Sequence, residues 1–174
     1  GQLYRIYSDE NNEGVPAGKG WKNGPVPEEF AINALGPVEI TVSYFDDFKN
    51  VLETLYGLEL IVDEKDLAVY EMGDGGNGAR LILRRDEDSG SSIQGYGIVH
   101  HLALRVEDKK AIDLWLERYE KFGVLNSGYI NRFFFGALYA RIGHILIEIS
   151  TEGPGFLQDE SYEKAGEILS LPPM

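Results

Sequence analysis

The chain contains no cysteine. Disulfides and thiolate metal sites are therefore excluded, which is compatible with a reducing cytoplasm. Histidine is scarce as well, so imidazole chemistry can fall only on His100, His101 and His144. No apolar run approaches the ~20 residues that span a bilayer, and no signal peptide is visible. Basic residues are few beside acidic ones: 16 Lys and Arg against 29 Asp and Glu leave a net charge of -13. Such a chain repels nucleic-acid phosphates and anionic membrane surfaces. A serine-nucleophile motif, a zinc-protease motif and a dinucleotide fingerprint are all missing. Gly73-Asp74-Gly75-Gly76-Asn77-Gly78 is glycine-rich but lacks the Lys and Ser/Thr of a P-loop. No helical pattern follows it, so it reads as a tight turn and not as a phosphate cradle.

What is present suits a folded protein. With 174 residues, 43% of them hydrophobic, the chain can form one compact domain or two small packed modules. It opens at Gly1 and at once reaches the strand-like Leu3-Tyr4-Arg5-Ile6-Tyr7, which reads as a fragment of a longer protein. Residues 10–29, rich in Gly, Asn, Glu and Pro around Trp21, read as a linker or long surface loop. Val38–Ser43 alternates like a strand. Asp46 or Asp47 is placed to cap a helix carrying Phe48, Val51, Leu52 and Leu55, and Gly57 to end it. Strand patterns follow at Leu58–Val62, Leu67–Glu71 and Ala79–Arg84.

The order then repeats. His101–Val106 reads as a strand, Asp108 starts a helix with apolar Ile112, Leu114, Trp115, Leu116 and Tyr119, and Gly123 ends it. After a loop or short strand come strands at Arg132–Ala140 and His144–Ile149 and a short terminal helix at Asp159–Leu169. Glu39 maps on His101, Leu83 on Glu148 and Gly57 on Gly123, at offsets of about 62 to 66 residues, which indicates an internal repeat. The predicted organisation is a preceding strand plus linker at 1–34, a first module at 35–95, a second at 96–152 and a tail at 153–174. The fold class is α+β, with helices on the outer face of curved mixed sheet and a pocket on the other.

Strand parity separates His101, Ala103 and Arg105 from Leu102, Leu104 and Val106, and the second set looks like the core face. His101 then points toward the pocket face, while His100 sits at the strand's first position. Glu148 interrupts the apolar run Ile145-Leu146-Ile147-Glu148-Ile149. A carboxylate there is solvated on an open face, paired, or metal-bound. Imidazole plus carboxylate is a suitable donor set for Fe(II), Mn(II) or Zn(II). His144 shares strand parity with Glu148 but lies about 13 Å along the strand, too far to share an ion. The rings of Phe133, Phe134 and Phe135 read mainly as core, with alternate rings free to wall an aromatic pocket.

Val99-His100-His101-Leu102-Ala103-Leu104-Arg105-Val106 resembles the opening strand of a vicinal-oxygen-chelate (glyoxalase, bleomycin resistance, extradiol dioxygenase) module. Asn131–Phe135, Ile147–Thr151, Glu152-Gly153-Pro154-Gly155-Phe156 and the closing Leu171-Pro172-Pro173 resemble more closely the hydroquinone-type ring-cleaving dioxygenases. Pro27–Ile32 is similar to the segment between their halves, and residues 1–8 to the last strand of their second module. The resemblance implies βαβββ modules and a metal, Fe(II) first and Mn(II) or Zn(II) next. It makes His101 and Glu148 ligands from the last module. It places Arg132, Tyr139 and His100 where they orient substrate and handle protons, and implies a small aromatic substrate and O2 as partners. The third ligand is expected from an absent N-terminal half, from a second chain of a homo-oligomer, or from Glu39. Glu39 by itself reads more readily as a solvated strand carboxylate than as a ligand, and Arg132 equally as a surface cation. A glyoxalase-like lyase or epimerase, or a metal-free binding or dimerisation module, is open on the same scaffold.

Overall fold

The computed structural model describes residues 3–90 and 93–173. They form two compact units that divide at Ile93. Each unit is a βαβββ module. The first contains β1 (Val38–Val42), α1 (Phe45–Thr54), β2 (Glu59–Glu64), β3 (Leu67–Glu71) and β4 (Arg80–Arg85). The second contains β5 (Leu102–Val106), α2 (Lys109–Lys121), β6 (Asn126–Asn131), β7 (Phe135–Ile142) and β8 (Ile145–Pro154).

Each module folds into a four-stranded mixed sheet, ordered β1-β4-β3-β2 in the first and β5-β8-β7-β6 in the second. The first and last strands of a module pair in parallel, and the remaining neighbours are antiparallel. The helix is the crossover that parallel pairing requires. In α1, Phe45, Phe48, Leu52 and, at its C-cap, Leu55 are buried at helical spacing. Such side chains contribute about 1.5–3 kcal/mol each when removed from water. In α2, Ile112 and Tyr119 are wholly buried. Asp108 caps it, accepting from the Ala111 amide at 3.0 Å. Gly57 and Gly123 take the left-handed conformation beyond the two helices, at φ 68° and 67°.

Several expectations need correction. Neither Asp46 nor Asp47 caps α1; the cap position is Tyr44, without a side-chain bond, and both aspartates lie in the first turn. There they favour the positive helix end, and Asp46 also accepts from Arg85. Leu114 is 66% exposed, because Ile112 and Tyr119 define the inward stripe and Leu114 lies off it. Arg132–Phe134 is a turn, and the strand preceding it is Asn126–Asn131. The terminal helix at Asp159–Leu169 does not form; Phe156–Gln158 and Tyr162–Lys164 make short 3-10 turns. Gly166, at φ 87°, breaks the helical path, and a segment that short without packing does not sustain a helix. Leu3–Tyr7 joins neither sheet, since no described strand offers it hydrogen bonds; Gly1 and Gln2 lie outside the described residues.

The loop before β1 is tied to the glycine-rich turn. Val15 N–H donates to Gly75 C=O at 2.9 Å, the Asn77 amide donates to Asn12 Oδ1 at 2.6 Å, and Asn77 Nδ2 donates to Asp9 Oδ1 at 2.9 Å. A Cβ on Gly76 would sit 2.5 Å from Glu13 O, so the close approach requires glycine there. Among the described residues no helix is long and apolar enough to cross a membrane.

Candidate metal centre

The site is built on the open face of the second sheet. Leu102, Leu104 and Val106 turn inward, while Ala103 and Arg105 are exposed and His101 is half-buried. Register sets Ala103 beside Glu148, and Glu148 beside Tyr139. Because side chains alternate across a strand, Glu148 and Tyr139 share one face. Ile147, Ile149, Leu138 and Ala140 take the other face and are buried with α2's Ile112 and Tyr119. His101, two residues before Ala103, joins the Glu148 side.

Among the described residues Glu148 is the one charged residue in the buried set, at 1% exposure. Both its oxygens are engaged. Tyr139 Oη donates to Oε1 at 2.8 Å, and His101 Nε2 lies 2.7 Å from Oε2. On its other side, His101 Nδ1 is 2.9 Å from His100 Nδ1. In its neutral form His101 then carries its proton on Nε2 toward Glu148 and accepts from His100 at Nδ1. Burial and the bond to Glu148 raise the Tyr139 pKa, against a lowering by Arg132. The Arg132 guanidinium lies 5.4 Å from the Tyr139 ring centre. The row His100, His101, Glu148, Tyr139, Arg132 is thus continuous.

The donor chemistry fits a divalent ion. Nε2 and Oε2, 2.7 Å apart, can both reach one ion at ordinary ligand distances of roughly 2.1 Å. The pair is incomplete by itself. No group of three His, Cys, Asp or Glu that could hold an ion occurs among the described residues. Glu39 is engaged within its own module, 2.9 Å from Arg84 Nε and 3.6 Å from Arg5 Nε. His144 is exposed in the turn at Gly143, before β8 begins.

Strand register also corrects the internal alignment. Val38 pairs with Leu81 as Leu102 pairs with Ile147. Glu148 therefore corresponds to Ile82, not Leu83, and Ala103 to Glu39; the counterpart of His101 is Pro37. Leu83 is fully buried on the core face. A slip of one residue puts Leu83 on the face opposite to that of Glu148's counterpart, while a slip of two leaves Glu39 on the face corresponding to that of His101.

Sequence reasoning missed two supports. Gln94 Nε2 donates to His100 C=O at 2.9 Å and Arg141 donates to Gln94 Oε1 at 3.1 Å, and no sequence signal marks them. Asn131 Oδ1 accepts from Phe133 N–H at 2.8 Å, an Asx turn that the Asn itself could have signalled. Phe134 is buried, while Phe133 and Phe135 line a cleft of about 450 Å³ with Tyr129, beside the start of α2. Neither His101 nor Glu148 lines that cleft.

The arrangement has clear relatives. MhqA of Bacillus subtilis (strain 168), whose name places it among ring-cleaving dioxygenases, is 36% identical over 179 residues, covering 99% of this chain and 56% of its own. A solved structure from Bacillus subtilis subsp. subtilis str. 168, described as a dioxygenase, superposes with a TM-score of 0.79 at 32% identity, covering 91% of this chain and 51% of that one. A glyoxalase/dioxygenase structure from Nostoc punctiforme shares the fold, with a TM-score of 0.60 at 15% identity over 74% of this chain and 97% of that one. The chain belongs to the vicinal-oxygen-chelate superfamily. No family model matches it. This vicinal-oxygen-chelate chain spans about half the length of the curated relatives it matches.

Proposed function

We propose that the chain is part of a metal-dependent, extradiol-type ring-cleaving dioxygenase acting on hydroquinone or catechol-like aromatics. The observation that carries the reading is the 2.7 Å approach of His101 Nε2 to the buried Glu148 carboxylate. The relatives named as ring-cleaving dioxygenases support the reaction class. His101 and Glu148 hold the ion, Fe(II) by preference and Mn(II) or Zn(II) otherwise. A second histidine from a longer form of the protein, or from another copy in an oligomer, completes a two-His, one-carboxylate set. When bound, the ion supplies the Lewis acidity that lowers the pKa of a phenol and keeps the ring and O2 in reactive geometry. The setting is cytoplasmic.

The chain's own residues do the rest. Tyr139 keeps its proton at Oη, because burial and Glu148 raise its pKa. It therefore acts at neutral pH as a donor that orients Glu148 or a substrate oxygen. Arg132, an exposed residue, faces negative charge on the aromatic oxygens. His100, exposed and in contact with His101, passes protons between site and solvent. The supporting experiment is anaerobic Fe(II) loading followed by O2 uptake with a panel of hydroquinones and catechols, on the longest natural form of the protein. His101→Ala and Glu148→Gln should each weaken metal retention by more than the ~10–100-fold that loss of an outer partner costs. A metal-loaded protein that consumes no O2 with any ring of the panel would sink the dioxygenase reading. A protein that retains no metal would sink the site.

A further inference from the structure

Arg132 stands on a turn that is fastened from outside the sheet. Its own N–H donates to Phe135 C=O at 2.8 Å, and Phe134 N–H donates back to Arg132 C=O at 2.9 Å. Between them Phe133 adopts φ 69°, a conformation that bulky residues rarely enter without being held. Two residues beyond β8 supply a hold. Gly155 N–H donates to Phe134 C=O at 2.7 Å. The Phe156 ring stacks on Phe134, centres 5.0 Å apart and planes at 30°, and meets the edge of Phe135 at 6.2 Å. Gly155 itself needs its φ of 86° to present that amide.

We infer that Gly155 and Phe156 form a positioning element that sets Arg132 over Tyr139. The path is short and physical. Phe156 fixes the buried Phe134 ring, Phe134 and the Gly155 bond fix the turn, and the turn fixes the backbone from which Arg132 reaches the Tyr139 ring. Phe156 is 59% exposed, so its retention on the turn is not a by-product of deep burial. Its ring contacts are with Phe134 and Phe135, at the close of the turn carrying Arg132, so its effect on the site passes through Arg132. The importance of Arg132 to substrate rests on the function proposed above; its placement does not.

The test uses the whole chain with Phe156→Ala and, as the conservative variant, Phe156→Tyr. The first readout is the NMR shift of the Arg132 side-chain protons, which the Tyr139 ring current displaces upfield. The expected result is displacement in the wild type, loss in Phe156→Ala, and recovery in Phe156→Tyr, with the Ile112 and Leu138 methyl signals unchanged as proof of an intact core. No displacement in the wild type, or full displacement in Phe156→Ala, overturns the inference. Should the Ile112 and Leu138 signals also move, Gly155→Ala provides the second local perturbation, and an unmoved Arg132 there overturns it equally. The second readout is kinetic. In the metal-loaded enzyme, Phe156→Ala raises KM for a phenolic substrate roughly fivefold with kcat little changed, and Phe156→Tyr restores it. An unchanged KM in an active enzyme that has lost the Arg132 displacement overturns the part of Arg132 in holding substrate, and the displacement itself decides the placement. Absence of O2 uptake in the wild type instead removes the dioxygenase reading, and the NMR arm alone then decides the positioning role.

Discussion

Tyr139→Phe isolates one bond at the centre of the site. The substitution removes a single oxygen from a half-buried ring and leaves the ring contact with His101, centres 5.9 Å apart, in place. What it takes away is the donor to Glu148 Oε1 at 2.8 Å. Glu148 is 1% exposed, so water cannot replace that donor without local opening. Leaving a buried acceptor unsatisfied costs about 1–3 kcal/mol, with a carboxylate toward the upper end. For a chain of this size, about 2 kcal/mol corresponds to a fall in Tm of roughly 4–8 °C. The assay is urea unfolding of metal-free protein followed by circular dichroism, with the second module reported by Trp115 fluorescence. A loss under 0.5 kcal/mol, with crystallography showing Glu148 still buried and its oxygen unpaired, would refute the reasoning. It would mean that the network is held by packing alone and that Tyr139 is free to serve another partner.

The remaining predictions are smaller in scope. Tyr70, whose hydroxyl donates to Glu53 Oε1 at 2.9 Å, and Tyr139 both have raised pKa values, from burial first and a carboxylate second. A raised folded pKa means that the stabilisation is full below the unfolded value near 10 and is lost as pH rises through the folded value. Absorbance titration should therefore show Tyr70 and Tyr139 ionising late, and stability falling above about pH 10; Tyr70→Phe with Tyr139→Phe should shrink that late phase. Gly123→Ala places an ordinary residue at φ 67° with open space around its Cβ, so it should lose about 1–2 kcal/mol from backbone strain alone, read by urea unfolding. Asn12→Ala removes both the acceptor of the Asn77 amide and a donor to Val15 C=O. Faster amide exchange at Asn77 and Val15, with the β3–β4 ladder still protected, is the expected result; uniform exchange rates would contradict a local clasp.

The modules were legible because hydrophobic parity and helix ends are local. Asp108 as a cap, Gly57 and Gly123 beyond the helices, and the inward set Leu102, Leu104 and Val106 all follow from neighbours in sequence. Parity put His101 on the open face of its strand, whereas the pairing of His101 with Glu148 came from donor chemistry and the family resemblance. Their 2.7 Å separation was not readable, because it depends on the parallel register of β5 against β8, which no local pattern fixes. The Arg132–Phe134 turn was hidden by its own aromatic rings, which look like strand residues until Asn131 and the contacts of Phe156 are seen. The failure at Asp159–Leu169 is of the opposite kind. Its residues tolerate a helix, but no apolar face there finds a surface to pack on; Ile168 and Leu169 are 64% and 82% exposed.

In the second sheet β8 lies between β5 and β7, although it is the last of the four strands to leave the ribosome. The sheet is consequently closed from the middle, by insertion of its final piece. Until that insertion, β5 has no hydrogen-bonding neighbour and the imidazole of His101 has no carboxylate to meet. A nascent chain halted before Glu148 cannot bring His101 to its carboxylate, so the pair forms only when the module is complete.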